Sequence, residues 1–131
     1  MKSLLRRKDL LYPELSYKIS GILFEVFKEV GSGYPEKYYQ RAIVATFIKN
    51  KIQFNEQVSV PLLYDGKQIG RYQLDFLIED AVVLEIKKGE YFKKQNIDQV
   101  VGYLKSRHLQ LGLIANFTRN GVRIKRIVNL K

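Results

Sequence analysis

The chain has 131 residues, enough for one domain with its own core, and its 46% apolar content with only three prolines excludes a disordered chain. It has no cysteine, which excludes disulfides and thiolate metal sites, and no run of the roughly 18 to 20 apolar residues that a membrane span needs. Lysine and arginine total 23 against 13 acids, a net charge of +10, which favours a polyanionic partner, nucleic acid first.

The N-terminal stretch carries Arg6, Arg7 and Lys8 but no apolar signal-peptide core, so residues 1–14 read as a basic arm and residues 15–131 as the domain. The expected compartment is the cytoplasm. From Ser16 to Val30 the positions Ile19, Ile22, Leu23, Val26, Phe27 and Val30 recur at helical steps, with Gly31 as the stop. After the tight Gly31–Gly33 link, a second helix is predicted from about Pro35, a residue suited to a first turn, to Lys49.

The rhythm then changes to period two. Val58, Val60, Leu62 and Tyr64 alternate with polar or small residues, Asp65-Gly66 signals a hairpin, and Ile69 to Ile78 forms the return strand. Val82 to Lys87 is the next strand. Helical spacing resumes between Lys93 and Arg107 through Ile97, Val100, Val101 and Leu104. Leu109 to Phe117 and Val122 to Leu130 complete the set as two strands around an Asn120-Gly121 turn. The order predicts an α/β domain with a mixed central sheet flanked by helices.

Three charges interrupt the most apolar segment. Between Asp75 and Lys87, the charges Asp75, Glu85 and Lys87 are set among Phe, Leu, Ile, Ala and Val, apart from the Glu79-Asp80 turn. A buried charge costs several kcal/mol unless paired, hydrogen-bonded or metal-bound. Strand parity puts Glu85 and Lys87 on one face. A two-residue turn at Glu79-Asp80 would set Asp75 opposite Leu84, on the wrong face; a three-residue connection, Glu79-Asp80-Ala81, sets it opposite Glu85. The second register is the prediction. Two adjacent carboxylates repel each other unless a cation stands between them, and Mg²⁺ (or Mn²⁺) suits one or two carboxylates with substrate oxygens and water. Such an ion polarises a phosphate and lowers the pKa of bound water, while Lys87 supplies a point charge beside it. A Glu-x-Lys tripeptide alone means no more than a cross-strand ion pair.

The wider pattern carries a resemblance. Asp75 followed by Glu85-Ile86-Lys87 resembles the P-D…(D/E)-x-K signature of the nuclease superfamily named for it, with Leu74 in place of the proline. Gly33-Tyr-Pro-Glu36-Lys-Tyr-Tyr39 is similar to the G-x-x-E-x-x-Y motif of one branch, and Gln99-Val-Val-Gly-Tyr103 to the Q-x-x-x-Y motif of RecB-like relatives. The resemblance implies a restriction-endonuclease-like fold and a metal-dependent nuclease. It implies Asp75, Glu85 and the Ile86 carbonyl as metal ligands, with Glu36 reaching the metal directly or through water. It also implies Lys87 as the catalytic lysine, Gln99 as a positioning residue, and Tyr103 as support for nucleic acid or neighbouring side chains. Gln40 stands where an acid is often found, which leaves one- and two-metal chemistry both open.

Glu36 is also what any helix favours in its first turn, for its dipole. Gln99 and Tyr103 are one turn apart and turned from the Ile97, Val101, Leu104 stripe, so core packing explains them poorly. His108, at a helix end, reads as a surface or capping residue, and with one histidine and no cysteine a hydrolytic triad has little to draw on. Lys88, Lys93, Lys94, Arg119 and Arg123 are the expected phosphate contacts, and Tyr91-Phe92 beside them suits base stacking. The expected function is hydrolysis of nucleic acid, DNA first, with little sequence choice; any choice would come from a homodimer or a targeting partner. Two rivals remain: a binding module of the same fold that does not cut, and a structural or oligomer-forming protein whose charged triad is an ion-pair network.

Overall fold

Residues 12–130 are described by a computed structural model of the protein. The basic cluster Arg6, Arg7, Lys8 lies outside the described residues. The elements are α1 (Pro13–Val30), α2 (Glu36–Lys49), β1 (Phe54–Tyr64), β2 (Lys67–Ile78), β3 (Val82–Lys88), α3 (Lys94–Arg107), β4 (Leu111–Phe117) and β5 (Val122–Val128). The five strands lie in chain order in one mixed sheet, antiparallel throughout except for the β3–β4 pair. Parallel neighbours need a crossover, and α3 supplies it.

Helices cover both faces. On one, Ile19, Leu23 and Val26 of α1 and Tyr39, Ile43 and Phe47 of α2 pack on Phe76, Leu84, Ile86, Leu113 and Phe117. The α2 trio recurs every four residues, a single stripe down the helix. Phe47 meets Phe76 edge-on at 5.6 Å and Phe54 at 5.3 Å, which fastens α2 to the β1–β2 pair. Such ring pairs add roughly 0.5–1.5 kcal/mol each beyond burial. On the other face, Val100, Tyr103 and Leu104 of α3 pack on Val60, Leu74, Val83, Ile114 and Ile127. Gly112 of β4 lets α3 come close, since a Cβ there would meet Val100 Cγ1 at 2.5 Å.

Several expectations shift at their edges. Helix α1 begins at Pro13, so the expected boundary between arm and domain falls inside its first turn. Pro35 caps α2 rather than opening it. Strand β1 starts four residues before Val58, at Phe54. His108 closes α3 in the left-handed conformation at φ 58°, and Leu109 N–H turns back to Leu104 O at 2.9 Å, so β4 starts only at Leu111. Of the two roles expected for Tyr103, support of nucleic acid or of neighbouring side chains, its position fits the second: it is 2% exposed and sits in the α3 core. The buried stripe of α3 is centred on Val100, Tyr103 and Leu104, with Ile97 and Val101 at its half-buried margin. Rotating the helix face by about one residue turns a supposed surface ring inward.

Candidate active site

The β2–β3 turn sets the register. Glu79 and Asp80 both take positive φ, 54° each, and Ala81 N–H closes the turn on Ile78 O at 2.9 Å. The three-residue connection pairs Ile78 with Val82, Leu77 with Val83 and Phe76 with Leu84, so Asp75 comes level with Glu85. There the regular ladder stops. Asp75 N–H donates to Glu85 Oε1 at 2.9 Å, and Ile86 N–H donates to Asp75 Oδ2 at 2.7 Å. Side-chain carboxylates have taken the places of ladder carbonyls, and the two strands fork around them.

A kink upstream aims Asp75. Leu74 belongs to the core under α3 and Phe76 to the core under α1 and α2, although residues two apart in a regular strand share a face. Opposite Asp75, Gln57 of β1 is at φ 53°, and this pair is missing from a ladder that runs regularly on either side. Both strands thus change face at one point. Asp75 can then reach β3 through Oδ2 and α2 through Oδ1, which accepts Gln40 Nε2–H at 3.0 Å.

Helix α2 brings in a second side chain. Glu36 Oε2 accepts Lys88 N–H at 3.1 Å, while Lys88 Nζ donates to Gly33 O at 3.3 Å. Tyr39, stacked on Phe117 with ring centres 4.2 Å apart, donates its hydroxyl to Gly31 O at 2.6 Å. Gly33 is at φ 89°, a conformation that suits glycine. Gly33, Glu36 and Tyr39 therefore act as one joint: a turn that needs glycine, a carboxylate on the end of β3, and a ring that ties α2 to the end of α1.

The electrostatics are lopsided. Asp75 and Glu85 are 8% and 3% exposed, and the one cation bridging either among the described residues is Lys87, whose Nζ is 3.4 Å from Glu85 Oε2. Burial pushes Glu85 up to about 7, and the charge of Asp75 pushes the same way. Burial also raises Asp75; Ile86 N–H, the hydrogen bond with Glu85 and Lys87 oppose this, and Glu36 adds to it. Tyr72 is raised by burial and then by Glu85, and its hydroxyl donates to the backbone carbonyl of Gln99 at 3.0 Å.

A family model of the PD-(D/E)XK nuclease superfamily matches residues 13–127. The chain belongs to the PD-(D/E)XK nuclease superfamily. The crystal structure of SSO0001 superimposes with a TM-score of 0.52 at 17% identity, over 71% of this chain and 49% of that one, a likeness of fold. This chain thus spans about half the length of that protein's chain. No curated protein sequence matches significantly.

For a PD-(D/E)XK protein, the donor set suits a hard divalent cation. Asp75 and Glu85 offer oxygen ligands whose proximity and burial a cation would relieve. Among the described residues no three His, Cys, Asp or Glu side chains cluster as a metal cage, so an ion at Asp75 and Glu85 would need backbone or water oxygens as well.

The expected site residues divide into three groups. Asp75, Glu85, Ile86 and Lys87 meet at the fork, and Glu36 stands at its edge on Lys88 N–H. Gln99 lies to one side: its carbonyl holds Tyr72, and it lines a cavity of about 560 Å³ with Tyr72, Val60 and Gly102. Lys88, Arg119 and Arg123 gather at the β3–α3 loop and the β4–β5 turn, and Lys93 caps α3. Lys94 is paired with Asp98 at 2.6 Å.

Asn116 and Tyr72 escaped the reading of the sequence, and Gln40 entered it only as a departure from the family pattern. Gln40 follows Glu36 by one helical turn, and that spacing alone puts it on the same face. Asn116 is a lone amide in the all-apolar strand β4 and stands level with Lys87; it is 1% exposed. Tyr72 gives no comparable signal, because a tyrosine in an alternating strand reads as packing.

Proposed function

We propose that this protein is a Mg²⁺-dependent nuclease, of the GxxExxY type within the RecB-like branch, that hydrolyses DNA phosphodiester bonds with little sequence choice. The observation that carries this reading is the fork between β2 and β3, where two buried carboxylates share backbone donors and one lysine. Asp75, Glu85 and the Ile86 carbonyl would hold the ion. A bound Mg²⁺ would supply Lewis-acid polarisation of the phosphate and a water of lowered pKa. Lys87, half-exposed at the mouth of the fork, would orient the attacking water and offset charge growing on the phosphate. Glu36 would hold water at the edge of the site, from its place on Lys88 N–H. Gln40 would keep Asp75 turned toward the ion. The basic side chains around the β3–α3 loop would take the phosphate backbone.

A second reading has its own support. Each oxygen of Asp75 and Glu85 meets a protein donor, from Gln40, Ile86, Asp75 N–H and Lys87. Such a network could stand without an ion in a domain that binds nucleic acid and does not cut. Incubation with single- and double-stranded DNA in Mg²⁺ or Mn²⁺, and then in EDTA, separates the two. The nuclease reading expects metal-dependent cleavage that Asp75→Ala and Lys87→Ala each abolish. Cleavage that survives EDTA or both substitutions overturns it; tight, salt-sensitive binding without cleavage favours the binding module.

A further inference from the structure

The β3–α3 loop carries an aromatic ring that the fold does not use. Tyr91 is 83% exposed, yet the backbone on which it sits is held by one hydrogen bond at each of three successive residues. Gly89 N–H donates to Phe117 O at 3.2 Å, Glu90 O accepts Arg123 Nη1–H at 3.1 Å, and Tyr91 O accepts Asn116 Nδ2–H at 2.8 Å. A loop held this way to β4 and β5 presents its ring in a fixed place. Glu90, the one acid of the loop, accepts Arg119 N–H at 3.3 Å. Phe92, next along, has Arg123 Cζ at 5.7 Å and Lys125 Nζ at 5.9 Å from its ring centre. The exposed ring is thus one residue from a second aromatic that carries two cations, one of them also bonded to the Glu90 carbonyl.

Asn116 ties this surface to the fork. It is level with Lys87 in the parallel β3–β4 register, and its amide nitrogen is the group that holds Tyr91. Asn116 thus links the Tyr91 backbone to the strand that runs beside Lys87. Asn116 Oδ1 is buried without a donor from the described residues.

We infer that Tyr91 is a stacking platform for an unpaired base, and that the strand passing Lys87 is single-stranded or a frayed end. The inference rests on the nucleic-acid reading of the fork and narrows it to a substrate class. A base inside a duplex has a neighbour on each face and offers nothing to a ring fixed beside the strand. An unpaired base does, and because every base has a π face, such a platform tolerates any sequence. Arg123 and Lys125 take the flanking phosphates.

The test is binding of labelled oligonucleotides in EDTA, where nothing is cut, using the full chain and its Tyr91→Ala and Tyr91→Phe variants. Single-stranded DNA, single-stranded RNA and a duplex of the same sequence are compared by anisotropy, with thermal midpoints recorded for each variant. Tyr91→Ala should weaken single-strand binding about tenfold, Tyr91→Phe should leave it unchanged, and duplex affinity should not move. One abasic site, stepped along the single strand, should reproduce the loss in the wild type at one position and add nothing in Tyr91→Ala. DNA and RNA arms that respond alike indicate recognition of the base alone. Equal losses on single strand and duplex, no loss on the single strand, or no single-strand binding by the wild type would each overturn the inference. Its failure is separable from that of the nuclease reading. Stacking without Mg²⁺-dependent cleavage leaves the platform standing, and Lys87-dependent cleavage indifferent to Tyr91→Ala leaves the nuclease standing.

Discussion

Glu85→Gln should make the protein more stable at alkaline pH in EDTA while abolishing cleavage. The carboxyl is 3% exposed, and burial with the Asp75 charge raises it from 4.5 to about 7. Between these two values the folded protein binds a proton that the unfolded chain has released. Stability must therefore fall as pH rises through that window, and the whole penalty is present above pH 7. A displacement of this size is worth about 3 kcal/mol. Glutamine keeps the shape and an oxygen for Asp75 N–H, and it removes the charge; its amide faces Lys87, which is exposed enough to swing toward water. The expected gain at pH 8 is therefore about 1–3 kcal/mol, on the order of 10 °C at most in midpoint for a domain of this size. At pH 5, just above the unfolded value of 4.5, the difference should shrink to about 1 kcal/mol or less, and it should vanish below pH 4. Urea denaturation of both proteins in EDTA from pH 5 to pH 8 reads the difference directly. A variant less stable than the wild type at pH 8, or a difference that does not change with pH, would refute the claim that this carboxylate is held at a cost to the fold.

The remaining predictions concern the parts that support the fork. Gly112→Ala drives a Cβ to 2.5 Å from Val100 Cγ1 and should cost about 1–3 kcal/mol, with part recovered in the double variant with Val100→Ala. Full stability of the single variant in urea, or no recovery in the double, argues against close packing of α3 on β4. Gln57, at φ 53° opposite Asp75, should tolerate glycine within about 1 kcal/mol but lose roughly 1–3 kcal/mol as Gln57→Val. The valine variant should also bind Mg²⁺ more weakly by calorimetry, and unchanged metal affinity would separate the kink from the aim of Asp75. Tyr103→Ala should cost about 3–5 kcal/mol and leave the affinity of the folded fraction for single-stranded DNA unchanged, because the ring is core. A stable variant with weakened binding would restore Tyr103 to the surface.

What could be read from the sequence divides along the geometry of the two kinds of element. A strand offers only two faces, so the length of one turn decides which way every side chain points. Asp75 was legible for that reason: three residues between β2 and β3 put it level with Glu85, and two would not. A helix offers a continuum of directions. The α3 stripe drawn through Ile97, Val101 and Leu104 differs from the buried one by about one residue, which is enough to put Tyr103 on the wrong side. The fork itself was hidden for another reason. Strand periodicity assumes a regular ladder, and here two carboxylates replace ladder carbonyls at the position where β1 and β2 both change face.

The same contrast explains why Asn116 was missed and why the contact of Gln40 with Asp75 was not foreseen. Asn116 obeys the rule that exposed Asp75 and Glu85, a polar group inside an apolar strand, and the rule applied to LGLIANF would have singled it out. Gln40 does not obey it, since polar residues are ordinary on a helix and only the four-residue step from Glu36 gives it direction. An amide at position 40 also has a consequence that an acid would reverse. It donates to Asp75 and adds no negative charge to a fork where Asp75, Glu85 and Glu36 already outnumber Lys87. An acid at that position would repel Asp75 rather than bond it, raising the charge that an ion must balance. On the nuclease reading, the fork would thus hold its ion with Asp75 and Glu85, and Gln40 would orient one of those ligands instead of adding another.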